Sequence, residues 1–282
     1  MVSAMLEDAV SLKHTFDRNG YAFPVDAMPA AEAAAFRARI EALEAGPVGH
    51  GPEAQKLYRF KPHLIFAWAA ELVRHPGVLD AVSRVLGPDI MVWAAGLFIK
   101  EPRDPTAIKW HQDGYHMGLS DPGRAVRAWI ALTETTVANG TMRFIPGSHT
   151  NGFVAHVEDD SVRKLALRGE HIAAPEGAAS AVPVCLAPGQ MSLHHLKTVH
   201  GSPGNATDAR RMTLAVSYIA PEVRPASGRD TAMLVRGEDR YGHWIADGPA
   251  PVQEYDQGCA RAHRRSMKIR LAAYHGAAMP DP

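Results

Sequence analysis

Only two cysteines, Cys185 and Cys259, occur in the 282 residues. Two thiols cannot build a disulfide framework, and their separation matches no zinc-binding spacing. So few thiols suit a reducing compartment, and a cytoplasmic protein is expected. No apolar run reaches the roughly eighteen residues that span a bilayer. The opening MVSAMLEDAVSLKHTF lacks the basic start and apolar run of a secretory leader. Neither sign of charge is in excess, with thirty basic and thirty acidic residues intermixed. A nucleic acid or an anionic membrane surface calls for a basic patch, so the expected partner is a small molecule, with no nucleic acid and no membrane. Internal repeats, low-complexity tracts and linkers are also lacking. With 46% hydrophobic residues, the chain reads as one domain over 1–282 with a substantial core. Nothing in it indicates an oligomeric state.

What the chain does have is histidine, fifteen in all, and imidazole is the commonest metal ligand. It also has a clear change of character along its length. PAAEAAAFRARIEALEAG repeats apolar residues at three and four and ends on glycine, which predicts an amphipathic helix. FAWAAELVRHPGVLDAVSRVLG predicts a second, broken at Pro76-Gly77. From MVWAAGLFIK onwards, short β-branched and aromatic runs alternate with turn residues: RAWIALTET, TMRFIPG, AVPVCLAPG, QMSLHHL and RMTLAVSYIAP. Strands that follow helices without interleaving predict a mainly β fold with flanking helices, a double-stranded β-helix or jelly roll. The expected division is a helical part over about 1–90, a jelly-roll core over 91–225 and a C-terminal lid or extension over 226–282. The polar stretch at about 150–180, with His156, Glu158, Asp159 and Asp160, reads as a lid, a substrate loop or a solvated insertion.

The stretch WHQDGYH, residues 110–116, sets His111 and Asp113 two apart. On an extended strand both side chains leave one face while Gln112 points the other way. A polar turn at Gly114 is the competing reading. An oxygen-activating Fe(II) site needs two histidines and a carboxylate with open positions beside them. His200 suits the distant ligand because it follows the strand QMSLHHL and precedes the turn GSPGN. Of the adjacent His194 and His195 only one can face the barrel interior, in a supporting or packing role. His149, after Pro146-Gly147, reads as loop-holding. Arg211 alternates with Thr213, Ala215 and Ser217, a small polar face suited to a cavity, whereas Arg210 shares its face with Met212, Leu214 and Val216. A guanidinium fork matches a carboxylate bidentately, so Arg211 is a candidate clamp for a dicarboxylate that chelates the metal.

Together these residues resemble the phytanoyl-CoA dioxygenase family of Fe(II)- and 2-oxoglutarate-dependent oxygenases. WHQDGYH matches its H-x-D element, RAWIALTETTVANGTMRFIPGSH its W-x-A-L, N-G and P-G-S-H strand pair, and APGQMSLHHLKTVHGSPGNATDARRMTLAVSYI its distal histidine and arginine. The resemblance implies His111, Asp113 and His200 as iron ligands. It implies Arg211, Ser202, Trp129, Gln112 and Lys100 as 2-oxoglutarate contacts. Thr133 and Glu134 depart from the family's frequent aspartate after A-L. Family chemistry would consume O2 and 2-oxoglutarate, release succinate and CO2, and hydroxylate an unactivated C–H, with no catalytic residue beyond the metal ligands. Halogenating relatives have a small residue where Asp113 stands, so hydroxylation is implied here. Lys61 and His63 in KPHLIF, Tyr115 and His116, and Arg229, Arg236, Arg240 and His243 in the late polar segment are the candidate substrate residues. By resemblance they suggest a 2-aminoethylphosphonate-like or amino-acid-like substrate. Two other readings stay open: a cupin-type metal enzyme without 2-oxoglutarate, and a noncatalytic jelly roll that binds a metal or ligand.

Overall fold

The computed structural model describes residues 2–46, 57–116, 118–158, 170–226, 228–255 and 257–276. A first helix, α1 (Val2–Asn19), and a strand, β1 (Tyr21–Asp26), precede the alanine-rich helix α2 (Ala30–Ala45), which turns Ala33, Phe36 and Ile40 to the core. The second predicted helix is two, α3 (Ala67–Leu72) and α4 (Pro76–Leu86). Pro76 occupies the first turn of α4, where its missing N–H costs no hydrogen bond. The His75 ring accepts from Gly77 N instead, at 3.2 Å. One side of α4 buries Val78, Leu79, Val82, Val85 and Leu86.

Thirteen strands are defined among the described residues. After β1 come β2 (Ile90–Lys100), β3 (Ile108–His111), β4 (Ala125–Ala131), β5 (Arg143–Phe144), β6 (Val157–Glu158), β7 (Glu170–His171), β8 (Val182–Pro183), β9 (Gln190–His195), β10 (His200–Ser202), β11 (Arg211–Ile219), β12 (Thr231–Arg236) and β13 (Ile245–Ala246). The chain then forms α5 (Gln257–Gly276). A seven-stranded sheet runs β1-β9-β4-β11-β2-β12-β13, and a four-stranded sheet runs β3-β10-β5-β8. These are the two sheets of a jelly roll, mainly β with helices outside, as the sequence predicts. β1, β12 and β13 join the large sheet from beyond the 91–225 span.

Strand parity divides the core. Val126, Ala128 and Ile130 of β4, Met191 and Leu193 of β9, and Met212, Leu214, Val216 and Tyr218 of β11 pack in one cluster with the helices. Trp129, Ala131, Phe144 and Ala215 pack in another, inside the barrel. All nine residues of β11 are buried, which suits a central strand covered on both faces. Arg210, just before it, turns outward to pair with Glu44 and Glu101.

Charge ties the C-terminal part to the N-terminal part. Lys61 Nζ donates to Thr231 O at 2.9 Å, to Thr231 Oγ1 at 2.6 Å and to Asp247 Oδ2 at 2.9 Å. Both members of the ion pair are shielded from solvent, at 1% and 0% exposure. Ser266 of α5 completes the cluster by donating to Asp247 at 2.8 Å. His63 is fully buried beside it, and desolvation pushes its imidazole down to about 3. Lys61 and His63, expected at the substrate pocket, thus belong to an interior cluster: a buried ammonium needs a fixed partner, and Asp247 supplies it. No helix among the described residues is long and apolar enough to cross a membrane.

Candidate metal centre

His111 closes β3, Asp113 opens the helical turn 113–116, and His200 opens β10. β3 and β10 are antiparallel neighbours with His200 directly opposite His111. Cross-strand partners share a face, and the two rings lie 4.1 Å apart. Gln112, pointing the other way, is fully buried. Its amide donates to Gly152 O at 2.9 Å and Lys197 O at 2.6 Å, and its oxygen accepts from Val154 N at 2.8 Å. That clamp fixes the strand end so that residues 111 and 113 face inward together. It also commits both N–H donors of the Gln112 amide to loop carbonyls.

One donor atom from each of His111, Asp113 and His200 lies within 4.8 Å of the other two. His111 Nε2 is 3.7 Å and His200 Nε2 is 3.8 Å from the Asp113 carboxylate. Each histidine ties its Nδ1 to a backbone carbonyl, Lys109 O and Thr198 O, both at 2.9 Å. A proton held there leaves the Nε2 lone pair facing the centre, the arrangement that metal-binding histidines use. Burial holds His200 well below the usual imidazole range and therefore neutral. Burial alone would raise Asp113, but Arg127, His200, His111 and His194 outweigh it and hold the carboxyl well below its usual range. Two imidazoles and a carboxylate are the donor set of a facial Fe(II) site, so these residues fit that ion.

Asp113 has two further partners. His194 Nε2 lies 3.3 Å and Arg127 Nε 3.4 Å from Oδ2. His194 is thus the member of the histidine pair that faces inward, while His195 packs near Phe16 and His149. His149 holds the chain corner at Asp17 O, 2.9 Å away. Arg127 escaped the sequence reading, although it stands two positions before Trp129 and so shares its inward face.

At the other end of the interior, Arg211 is 2% exposed. Its Nη1 donates to Gly140 O at 2.9 Å, and its guanidinium lies 5.4 Å from the Trp129 ring centre. Lys100 faces Arg211 across the β2–β11 ladder and donates to the carbonyls of Ser202 and Pro203. Ser202 Oγ and Arg211 Nε are buried with no hydrogen-bond partner among the described residues. Such atoms are costly unless a polar ligand meets them. A cleft of about 270 Å³ is lined by Phe98, Ile108, Lys100 and Arg211. Arg211, Lys100, Ser202 and Trp129 therefore come together, and Gln112 stands apart.

The expected substrate residues mostly disperse. Tyr115 stacks on His156 at 3.9 Å, close to the ligand turn. The side chain of His116 lies outside what is described, as do residues 159–169 of the predicted loop. Arg236 pairs with Asp80 of α4 at 2.6 Å, Arg240 with Glu238 at 3.1 Å, and His243 accepts from Arg224 at 3.3 Å. Arg229 is exposed. Among the described residues Arg236, Arg240 and His243 thus meet three different partners, with β12 carrying the start of this segment into the large sheet.

The chain is similar to known proteins over much of its length. The family model described as "Phytanoyl-CoA dioxygenase (PhyH)" matches residues 16–213. A "Probable alpha-ketoglutarate-dependent hypophosphite dioxygenase" of Stutzerimonas stutzeri is 32% identical over 184 residues, covering 62% of this chain and 62% of its own. An "Ectoine dioxygenase" of Nocardia farcinica is 29% identical, covering 48% of this chain and 49% of its own. The chain thus matches less than two thirds of the length of these curated relatives. The solved structure of the non-heme monooxygenase ThoJ in its apo form is 38% identical with a TM-score of 0.84, covering 94% of this chain and 97% of that one.

Proposed function

Since this chain belongs to the phytanoyl-CoA dioxygenase family, we propose that it is an Fe(II)- and 2-oxoglutarate-dependent dioxygenase that hydroxylates a small polar molecule. The observation that carries the reading is the His111, Asp113, His200 cluster facing the same interior as the unsatisfied Arg211 and Ser202. In the overall reaction one atom of O2 enters succinate and the other the product: R–H, 2-oxoglutarate and O2 become R–OH, succinate and CO2. Fe(II), when bound, supplies the oxygen activation coupled to that decarboxylation.

The protein's own residues do the rest. His111 and His200 present Nε2 because Lys109 O and Thr198 O fix their tautomers. His194 and Arg127 hold the Asp113 carboxylate ionised and oriented. Arg211 receives the far carboxylate of 2-oxoglutarate, with Lys100 adding charge, Ser202 a hydroxyl, and Trp129 a wall that excludes water. The relatives named for hypophosphite and ectoine support a small polar substrate. The two stretches that suggested 2-aminoethylphosphonate, around Lys61 and Arg236, are engaged elsewhere and lend it no support.

Anaerobic addition of Fe(II) and 2-oxoglutarate tests the proposal. Wild type should develop the weak visible charge-transfer band of the chelate. Asp113→Ala should lose it with the metal, and Arg211→Ala should need far more 2-oxoglutarate to form it. Turnover of oxygen with no succinate formed would favour a cupin-type enzyme instead.

A further inference from the structure

Arg127, which holds the Asp113 carboxylate, also brings into the barrel a positive charge that the iron and 2-oxoglutarate reading does not otherwise use. Its Nη1 donates to Ser217 Oγ at 2.8 Å, and its guanidinium lies 6.0 Å from the Phe98 ring centre. Its side chain is 14% exposed, and Asp113 is its one carboxylate partner among the described residues. Arg211 occupies a different part of the wall: Ser217, which Arg127 meets, lies six positions beyond Arg211 on β11, with Trp129 between them on the neighbouring strand.

The charges decide what Arg127 is for. Without a metal, Asp113 neutralises it. Once a dication shares that carboxylate, one negative charge faces both the metal and the guanidinium in a largely desolvated interior, and the site is left with excess positive charge. A charge so enclosed is costly until an anion meets it. The two negative charges of 2-oxoglutarate are met by the metal and by Arg211. We propose that Arg127 is the substrate anchor, and that the substrate is a small anion whose carboxylate or phosphorus oxyanion docks on this guanidinium with its reactive C–H turned to the metal. The proposal rests on the function given above and adds the charge of the substrate and the residue that reads it.

The test uses protein loaded with Ni(II) and 2-oxoglutarate, which binds without turning over, and titrates it with acetate, methylphosphonate and the neutral acetamide by calorimetry. Wild type should bind at least one anion in preference to acetamide, and the stronger of acetate and methylphosphonate identifies the headgroup. Arg127→Gln should weaken that anion roughly ten- to a hundred-fold, as loss of a charged hydrogen bond does, and Arg127→Lys should restore part of it. Equal binding of acetamide and both anions by wild type overturns the proposal without any variant. So does an Arg127→Gln protein that binds the anion as wild type does, or one that loses Ni(II) while its anion affinity survives, which would leave Arg127 with its positioning role at Asp113 alone. Failure of 2-oxoglutarate to bind the metal-loaded wild type would instead count against the oxygenase function itself.

Discussion

Lys100 and Arg211 face each other in register across the β2–β11 ladder, two cations lining one cleft. Burial, and then the charge of Arg211, push the Lys100 ammonium down to about 7, against a smaller upward pull from Asp104. The sign follows directly. Below pH 7 Lys100 is charged and attracts the carboxylate of 2-oxoglutarate; above it the group is neutral and the attraction is lost. The apparent KM for 2-oxoglutarate should therefore rise as pH increases through about 7, by no more than about tenfold per unit. In Lys100→Met it should be high and flat across the same range. A pH series of initial rates at varied 2-oxoglutarate decides this. Single residues were also where the sequence was easiest and hardest to read. His111 and Asp113 stood out by their spacing of two, although only His111 lies on the strand and Asp113 opens the turn that follows it. Arg127 obeyed the same parity beside Trp129, yet a lone arginine in a strand carries no motif. The partner of Lys61 was not legible, because an ion pair between residues 61 and 247 depends on a crossing of the chain that local pattern does not record.

The strands and turns place these side chains, and their tolerances are narrow. Gly140 has φ +75, and a Cβ there would come within 2.5 Å of Pro203 O and 2.6 Å of Gly204 O. Its carbonyl is the one that receives Arg211. Gly140→Ala should lower stability by about 1–3 kcal/mol and raise the KM for 2-oxoglutarate, because relief of the clash moves the carbonyl that seats the guanidinium. Thermal unfolding and steady-state kinetics on the same sample would check both. Helices α2 and α4 were legible because each carries an apolar stripe over several turns, and β2, β4, β9 and β11 because their apolar runs are bounded by turn residues. β1 was not, since YAFPVD is short and holds a proline. β12 was not, since TAMLVR is six residues set among charged neighbours. The departure at Thr133 has a local account: its hydroxyl accepts from Met212 N at 2.8 Å, stitching the end of β4 to β11.

Across the whole molecule, the buried Lys61–Asp247 pair joins the two ends of the polypeptide. Lys61 reaches β12, Asp247 follows β13, and Ser266 adds α5. Removing one charge strands the other in the interior, so Lys61→Met should cost about 3–5 kcal/mol, with Lys61→Met/Asp247→Leu regaining much of the loss. Chemical denaturation of the three proteins measures it. The crossing of β3 with β10 has a consequence for biosynthesis. A ribosome delivers His111 and Asp113 well before His200, and the intervening chain must lay down β4 and β9 before β10 can pair. A growing polypeptide therefore offers ferrous ion only a two-toothed, solvent-washed grip. Capture of iron is deferred until the barrel has closed, when long-range pairing has already met the entropy of joining distant segments.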